Sequence, residues 1–235
     1  MRHIVLFSGG IQSSYVAYLV CRQQEHNVTF LFHDTKTEPL DNYRFRQEVS
    51  EYLGIPITAQ SDGRNIWQVF DDEDFLGNNR VPICSILLKG KQGEKFYKNL
   101  NDDFIVYVGF GLNEGHRIQK IVTRNPKIKY KFPLIENKIF KDAIIKIILR
   151  QWEICLPEMY RYFKHANCIP CVRGQKKHWQ QVYYHYPEAY QKAIEYENKF
   201  GYTIMPKLSL TEFKKELYLL QTDFDDDILP CLCAV

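Results

Sequence analysis

Short apolar runs alternate with amphipathic segments along the first 150 residues. The apolar runs predict strands at residues 3–7, 28–32, 56–60, 104–110 and 129–135. Between them, apolar residues spaced by three or four positions predict helices at 13–24, 40–53, 85–100, 114–123 and 140–152. This alternation is typical of βαβ units. We therefore expect an α/β fold, with a Rossmann-like parallel sheet of about five strands flanked by helices.

The pattern changes after about residue 150. Aromatic-rich amphipathic segments predict helices at 179–186 and 189–200, and no further strand is expected. We therefore divide the chain into an α/β domain, residues 1–150, and a helical C-terminal subdomain, residues 151–235. Residues 62–82 show no sustained period and predict a long loop, whereas Gly54 and Gly201 follow predicted helices and suit their C-terminal ends.

Composition narrows the class of protein. The 235 residues, 45% hydrophobic and 25% charged, match an ordinary globular chain and exclude disordered and collagen-like classes. No apolar run approaches the roughly 18 residues that a membrane span needs, so no membrane partner is expected. The first residues enter a predicted strand without a signal-peptide pattern, which predicts a cytoplasmic protein.

Basic residues are concentrated in one stretch. The formal net charge is only +3, but residues 117–150 hold ten Lys or Arg against Glu136 and Asp142, a local charge of +8. Such a stretch is either a solvated face or a surface that contacts phosphate backbones.

The most informative segment joins the first predicted strand to the first helix, with the sequence Ser8-Gly9-Gly10-Ile11-Gln12-Ser13-Ser14. Glycines let the backbone approach an anion, and a helix N-terminus offers N–H groups and the positive end of its dipole. The lysine of the ATPase P-loop is absent, and so is the dinucleotide-binding glycine pattern. From these residues alone, the segment is a phosphate site or a tight turn with a serine cap.

The Ser-Gly-Gly-x-x-Ser pattern resembles the PP-loop of ATP pyrophosphatases and of phosphoadenosine phosphosulfate (PAPS) reductases, the adenine nucleotide alpha hydrolase-like superfamily. Three later segments resemble family motifs in the same order: 33–38, 109–117 and 132–142. The resemblance implies a site for ATP with Mg²⁺ and a catalytic role for Ser8, Lys89 and Arg117. It implies the following nucleotide-binding residues: Ser8, Gly9, Gly10, Gln12, Ser13, Ser14, Asp34, Thr35, Glu38, Gly109, Gly111 and Glu114. Gln12 departs from the family's usual Asp, a carboxylate that can help organise magnesium.

Seven cysteines are many for a cytoplasmic chain, in which lasting disulfides are rare. Cys168 and Cys171 form a Cys-x-x-Cys motif, which suits a metal site, a redox pair or two core thiols. With Cys84 they match three of the four ligand positions of the iron–sulfur adenylylsulfate reductases. The resemblance thus implies a [4Fe-4S] cluster with Cys231 or Cys233 as a candidate fourth ligand, and zinc is the alternative. We expect Cys21 and Cys155 to pack in the core.

Three functions follow from the resemblance. The favoured one is an ATP pyrophosphatase that adenylates a substrate for sulfur incorporation, with DNA (phosphorothioation) or tRNA as acceptor and a cysteine desulfurase as partner. The second is a PAPS or adenylylsulfate reductase, although the usual C-terminal Glu-Cys-Gly-Leu-His segment is absent. The third, suggested by Gln12, is a non-catalytic nucleotide-binding subunit.

Overall fold

The computed structural model describes residues 1–24 and 26–220. Its strands form one parallel sheet in the order β3-β2-β1-β4-β5, which confirms the predicted α/β fold. Their bounds are β1 Arg2–Leu6, β2 Val28–Asp34, β3 Ile57–Ser61, β4 Phe104–Tyr107 and β5 Lys129–Lys131. The strand order reverses beside β1, and ligands of open α/β sheets bind in the crevice beyond the strand ends at such a point.

Helices cover both faces of the sheet and make up the C-terminal part. Their bounds are α1 Ile11–Gln23, α2 Leu40–Leu53, α3 Ile66–Asp72, α4 Ile83–Ser85, α5 Lys91–Lys98, α6 Ile118–Arg124, α7 Pro133–Glu136, α8 Lys141–Arg150, α9 Lys176–His185, α10 Pro187–Phe200 and α11 Leu210–Leu220. A π-helical turn, Ile86–Gly90, joins α4 to α5, and 3₁₀ turns cover Leu112–Arg117 and Glu158–Arg161. Among the described residues, no helix has the length and apolar character that crossing a membrane requires.

Each central strand is buried on both faces. On one face Val5 and Phe30 pack with α1 and α8, and on the other Ile4, Leu31 and Val106 pack with Ile121 of α6. Burial on both sides explains why these strands are continuous apolar runs rather than alternating ones.

Two predicted strands end earlier than expected. Lys131 is the last residue of β5 because Pro133 starts α7, where a proline without an N–H group is tolerated. β4 ends at Tyr107, two residues before Gly109. The segment predicted as a helix at 114–123 begins as the 3₁₀ turn and becomes α-helical only at Ile118.

The prediction of a continuous loop at 62–82 is wrong, because α3 lies within it. Asn65 caps this helix by accepting the N–H of Gln68, whose side chain in turn accepts the N–H of Asn65. The Asn-x-x-Gln spacing is a capping-box signal that the sequence carries. Ile66 and Phe70 of α3 are buried against the C-terminal helices, so tertiary packing stabilises a helix of only seven residues.

The C-terminal part is helical, as predicted, and contains one helix that was not predicted. Ser209 and Glu212 exchange hydrogen bonds at the start of α11, and Phe213 is buried in the same core as Trp179 of α9. The buried Glu197 carboxylate accepts the N–H groups of Ile204 and Leu210 at 2.8 and 2.7 Å, which holds α10 to the segment leading into α11.

The two lone cysteines differ in environment. Cys21 is partly buried and packs against the core beside α1, where burial raises the pKa of its thiol to about 11. The prediction that Cys155 packs in the core is wrong, since its side chain is exposed. It lies in an irregular segment after Glu153, which adopts a left-handed conformation with φ 58°. Gly54 and Gly201 are left-handed at helix ends, as predicted.

Candidate functional site

A tight loop connects β1 to α1 at the carboxyl edge of the sheet. Gly9 has φ +80°, a conformation that glycine adopts without strain. The Ser13 and Ser14 hydroxyls donate to the Gly10 carbonyl at 2.9 and 3.0 Å, and the Ser8 and Ser13 hydroxyl oxygens lie 3.0 Å apart. The loop is thereby fixed in one shape, with the first turn of α1 directed at the crevice.

A buried arginine supports this loop from α2. The guanidinium of Arg46 donates to the Ser8 carbonyl at 3.2 Å and to the Glu38 carboxylate at 2.6 Å. It also stacks over the Phe32 ring, 3.4 Å from the centroid. A methyl group on Gly9 would lie 2.7 Å from Arg46 Nε, so the glycine is also required for this close approach.

The segment after β4 closes against the same loop. A methyl group on Gly109 would lie 2.9 Å from the backbone N and Cα of Ser13, so only glycine allows this contact between two backbones. Gly111 similarly leaves room for the Gln12 side-chain amide. Glu114 accepts the Gly111 N–H at 2.9 Å and forms an ion pair with Arg117, whose guanidinium lies 4.2 Å from the Phe110 ring centroid.

These segments enclose a cavity of about 280 Å³, close to the lower end of the usual range for ligand sites. Because the sequence resemblance predicts a nucleotide here, we call it the nucleotide cavity. Its polar lining comes from the loop, from the ends of β2 and β4, and from the C-terminal part: Ser8, Gln12, Ser13, His33, Glu38, Lys89, Asn113, Glu114, His116, Arg117, Tyr160, His165 and Asn167.

A second, smaller cavity of about 40 Å³ contains the three cysteines of the sequence hypothesis. Cys84, Cys168 and Cys171 line it with Thr35, and the Thr35 hydroxyl oxygen lies 3.1 Å from Cys168 Sγ. We call it the cysteine cavity. Lys89 and Asn167 line both cavities, so the two spaces are neighbours.

Lys89 lies on the π-helical turn between α4 and α5. Such turns occur often at functional sites, because the extra residue shifts the side chains that follow. Burial acts to lower the pKa of Lys89, but the attraction of the Cys168 thiolate, the Glu38 carboxylate and the other two thiolates, when these groups are ionised, outweighs it and raises the pKa. Burial raises the pKa of Cys168 to about 12 and also raises those of Cys84 and Cys171. At neutral pH the cavity therefore holds protonated thiols beside a charged ammonium group.

The cysteine cavity supplies soft sulfur donors, the chemistry that zinc and iron–sulfur clusters require. As these thiols are arranged in this structure, however, they do not form a metal site. Within residues 1–24 and 26–220, no group of three or more His, Cys, Asp or Glu residues is placed to hold an ion. The candidate fourth ligands, Cys231 and Cys233, lie outside the described residues. The iron–sulfur or zinc centre stays a prediction, and no reaction step below depends on it.

Most of the residues implied by the resemblance line the nucleotide cavity, but some have other positions. Asp34 does not line it: its carboxylate accepts the Lys36 N–H and the Tyr43 hydroxyl, and so supports the turn after β2. Thr35 lines the cysteine cavity instead. Ser14 is fully buried behind the loop. Gly9 and Gly111 shape the cavity by close contacts rather than by lining it.

Several lining residues were not among the implied site residues. Tyr160, His165 and Asn167 come from an irregular C-terminal segment that no motif marks. His33 precedes the expected Asp-Thr pair, and its Nε2 is buried without a hydrogen-bond partner in the structure. Burial and the nearby Lys89 lower the pKa of His33 to about 4, so the imidazole is neutral at pH 7.

The basic stretch forms an exposed surface beside the cavity. β5 is the edge strand, and its Lys129 and Lys131 are exposed. Lys131 pairs with Tyr107, and so lies at the carboxyl edge of the sheet, as the phosphate loop does. Lys120, Arg124 and Lys127 of the preceding segment are also exposed. We call these five residues the basic surface.

Comparison with known proteins identifies the family of this chain. The phosphoadenosine phosphosulfate reductase domain family matches residues 2–123, more than half of the chain. The chain therefore belongs to this family, within the PP-loop superfamily. It is also similar to the uncharacterized nin region protein ORF290 of Escherichia phage lambda, with 24% identity over 203 residues. That match covers 74% of this chain and 66% of the phage protein, so the chain spans slightly less than two thirds of its relative.

Proposed function

We propose that this chain is an ATP pyrophosphatase that adenylates a substrate for sulfur incorporation. The observation that carries the proposal is the contact between the two cavities through Lys89 and Asn167. A phosphate-binding loop supports nucleotide activation, and thiols beside it support the handling of sulfur. An enzyme that first activates its substrate with a nucleotide and then transfers sulfur needs a nucleotide site and thiols side by side.

The proposed reaction begins at the α-phosphate of ATP. A substrate oxygen attacks the α-phosphorus, the bond to the bridging oxygen of the β-phosphate breaks, and pyrophosphate leaves. The substrate oxygen then carries AMP, which is a good leaving group. A sulfur nucleophile displaces this AMP by forming a carbon–sulfur or phosphorus–sulfur bond.

The cationic side chains of the nucleotide cavity would stabilise this first step. Lys89 and Arg117 line the cavity, and their charges would offset the negative charge that moves to the leaving pyrophosphate. The N-terminus of α1 would hold the terminal phosphates. These groups are already fixed by their packing, so little reorganisation is needed during the reaction.

Magnesium would enter with the phosphates of ATP, as it does at many phosphate-transfer sites. Gln12 supplies no carboxylate, and the two glutamates of the cavity are each paired with an arginine: Glu38 with Arg46 and Glu114 with Arg117. We therefore expect Mg²⁺ to be held mainly by phosphate oxygens and water rather than by this chain.

A nucleic acid is the proposed sulfur acceptor, either DNA in phosphorothioation or a tRNA. The support is the basic surface, since clustered Lys and Arg supply most of the non-specific affinity for phosphate backbones. A cysteine desulfurase is the proposed sulfur donor. A metal centre on Cys84, Cys168 and Cys171 is a separate proposal, and iron, sulfide and zinc analysis after anaerobic purification tests for it.

Pyrophosphate release from ATP tests the proposal. Anaerobically purified protein with Mg²⁺, a nucleic acid and a desulfurase is expected to release pyrophosphate. The Lys89→Met variant, which keeps the length of the side chain and removes its charge, is expected to lose this activity. Lys91→Met is the matched control, since Lys91 is exposed two residues away. Equal activity in both variants would contradict the role of Lys89.

A sulfonucleotide reductase is the second candidate, favoured by the family match and by the cysteine cavity. In that reaction a cysteine thiolate attacks the sulfur of PAPS or adenylylsulfate, the nucleotide leaves, and a second thiol releases sulfite as a disulfide forms. Thiol-dependent sulfite release that is lost in a Cys231→Ser and Cys233→Ser double variant would support it. Tight ATP binding without either product would instead indicate a non-catalytic nucleotide-binding subunit.

A further inference from the structure

The C-terminal part of the chain contributes a hydroxyl group to the phosphate loop. Tyr160 lies in the 3₁₀ turn Glu158–Arg161, and its hydroxyl oxygen accepts the N–H of Ile11, the first residue of α1, at 3.2 Å. A methyl group on Gly10 would lie 3.4 Å from this oxygen and 3.6 Å from Ser8 Oγ. Two hydroxyl groups from distant parts of the chain therefore flank Gly10.

The hydrogen bonds of this hydroxyl group determine what it can still do. A phenol has one O–H donor and two lone pairs. The Ile11 N–H occupies one lone pair. Burial raises the pKa of Tyr160 to about 12, so the hydroxyl group keeps its proton at neutral pH. The oxygen is thus an acceptor in its hydrogen bond with Ile11, and its own proton remains to be donated.

The unused proton belongs to a group that lines the nucleotide cavity. In the part of the chain that the structure describes, no acceptor for it is recorded. A donor in such a position is costly unless a ligand or water accepts from it. Lys89 and Arg117 line the same cavity and are cationic, so the missing acceptor has the chemistry of an anion.

We infer that the Tyr160 hydroxyl donates a hydrogen bond to a phosphate oxygen of a nucleoside polyphosphate bound on the loop. The inference rests on the proposed function, because it requires a nucleotide in this cavity. It makes the C-terminal part a component of the nucleotide site: Tyr160 would join the phosphates and the Ile11 amide through one oxygen atom.

The phenol ring is held independently of its hydroxyl group. It packs against the core beside α1, and the Lys141 ammonium lies 5.3 Å from its centroid while donating to the Lys164 carbonyl. Tyr160→Phe therefore removes the donor and keeps the packing. Tyr162→Phe is a matched control, because Tyr162 stacks on His185 and does not line the nucleotide cavity.

Calorimetric titration with Mg-ATP and with adenosine tests the inference. A hydrogen bond to a charged group is worth about 1.5 to 3 kcal/mol, so Tyr160→Phe is expected to weaken ATP binding roughly 10- to 100-fold. Adenosine has no phosphate, and its affinity is expected to stay unchanged. The melting temperature is expected to fall only by the cost of the one hydrogen bond that Ile11 loses. Tyr162→Phe is expected to bind both ligands as the wild type does.

The outcomes separate the inference from the proposed function. Wild-type protein that binds no ATP would refute both. Wild-type binding with an unchanged affinity in Tyr160→Phe would refute the inference alone. Tighter ATP binding by Tyr160→Phe would also refute it, because the hydroxyl would then compete with phosphate for the Ile11 amide. Equal weakening of ATP and adenosine would indicate a structural role.

Discussion

The buried ion pair beneath the phosphate loop offers the sharpest test of how the loop is supported. Arg46 and Glu38 have side-chain exposures of only 2% and 4%. Replacing Arg46 with Met keeps much of the side-chain volume but leaves the Glu38 carboxylate buried without its partner. Breaking a buried pair in this way costs about 3 to 5 kcal/mol of unfolding free energy.

A second substitution separates the free energy lost with the ion pair from the free energy lost with the packing contacts. In the double variant Arg46→Met with Glu38→Gln, no buried charge is left, so we expect a loss of only about 1 to 2 kcal/mol, from the hydrogen bond to Ser8 and the contact with Phe32. The two single substitutions should therefore be strongly non-additive, with a coupling of about 2 kcal/mol or more.

Urea unfolding followed by circular dichroism measures these values, provided that the slope of free energy against urea is the same in each variant. The control is Lys199→Met, which breaks an exposed pair with Asp71 and is expected to cost less than about 1 kcal/mol. A loss below about 1 kcal/mol in Arg46→Met, or additive single substitutions, would show that the buried pair does not stabilise the fold in this way.

Three further predictions concern the loop, the core and the basic surface. Gly109→Ala places a methyl group against the backbone of α1. It is expected to lower the free energy of unfolding by about 1 to 3 kcal/mol and to weaken ATP binding. In the control, Gly115→Ala, the methyl group meets no atom within 4 Å, so neither effect is expected. Burial lowers the pKa of His178 to about 4, below its usual 6.5, so the unfolded chain binds a proton that the folded chain does not. The free energy of unfolding that this difference contributes is present above pH 6.5 and falls as the pH drops towards 4, by about 2 kcal/mol between pH 7 and 5. In urea titrations, His178→Gln should remove this part of the pH dependence. An unchanged pH dependence in His178→Gln would contradict the assignment. The double variant Lys129→Ala with Lys131→Ala should bind DNA or RNA more weakly in filter-binding assays. The slope of log affinity against log salt concentration should fall by the equivalent of roughly two phosphate contacts. An unchanged slope would exclude the basic surface from nucleic-acid binding.

The sheet and the tight glycine loop between β1 and α1 could be predicted from the sequence because both depend on local patterns. The buried strands are short apolar runs, and the loop follows the first of them directly. Gly9 and Gly10 are adjacent to the helix start, so the chemistry of the loop is contained in seven consecutive residues. The same holds for the glycines at helix ends, whose left-handed conformation depends on one position.

The other features depend on contacts between distant parts of the chain. Tyr160 reaches Ile11 across 149 positions, and no motif marks it. The resemblance implies that Asp34 contacts the nucleotide, but its carboxylate instead accepts hydrogen bonds from the Tyr43 hydroxyl and the Lys36 amide. The exposure of Cys155 is likewise set by the irregular segment after α8, which an apolar pattern around it cannot reveal.

A nucleotide that binds with its phosphates on the loop between β1 and α1 should be displaced by a negative charge at Gly10, and titration of Gly10→Asp with Mg-ATP measures this. Gly10 has φ −83°, and a Cβ there meets no atom closer than 3.4 Å, so the fold should accept the change. The new carboxylate would lie beside the Ser8 and Tyr160 hydroxyls and repel a phosphate. Asn101→Asp, at an exposed position, is the charge-matched control. We expect ATP binding to be lost in Gly10→Asp and kept in the control. Full binding by a folded Gly10→Asp variant would show that the phosphates do not bind on this loop.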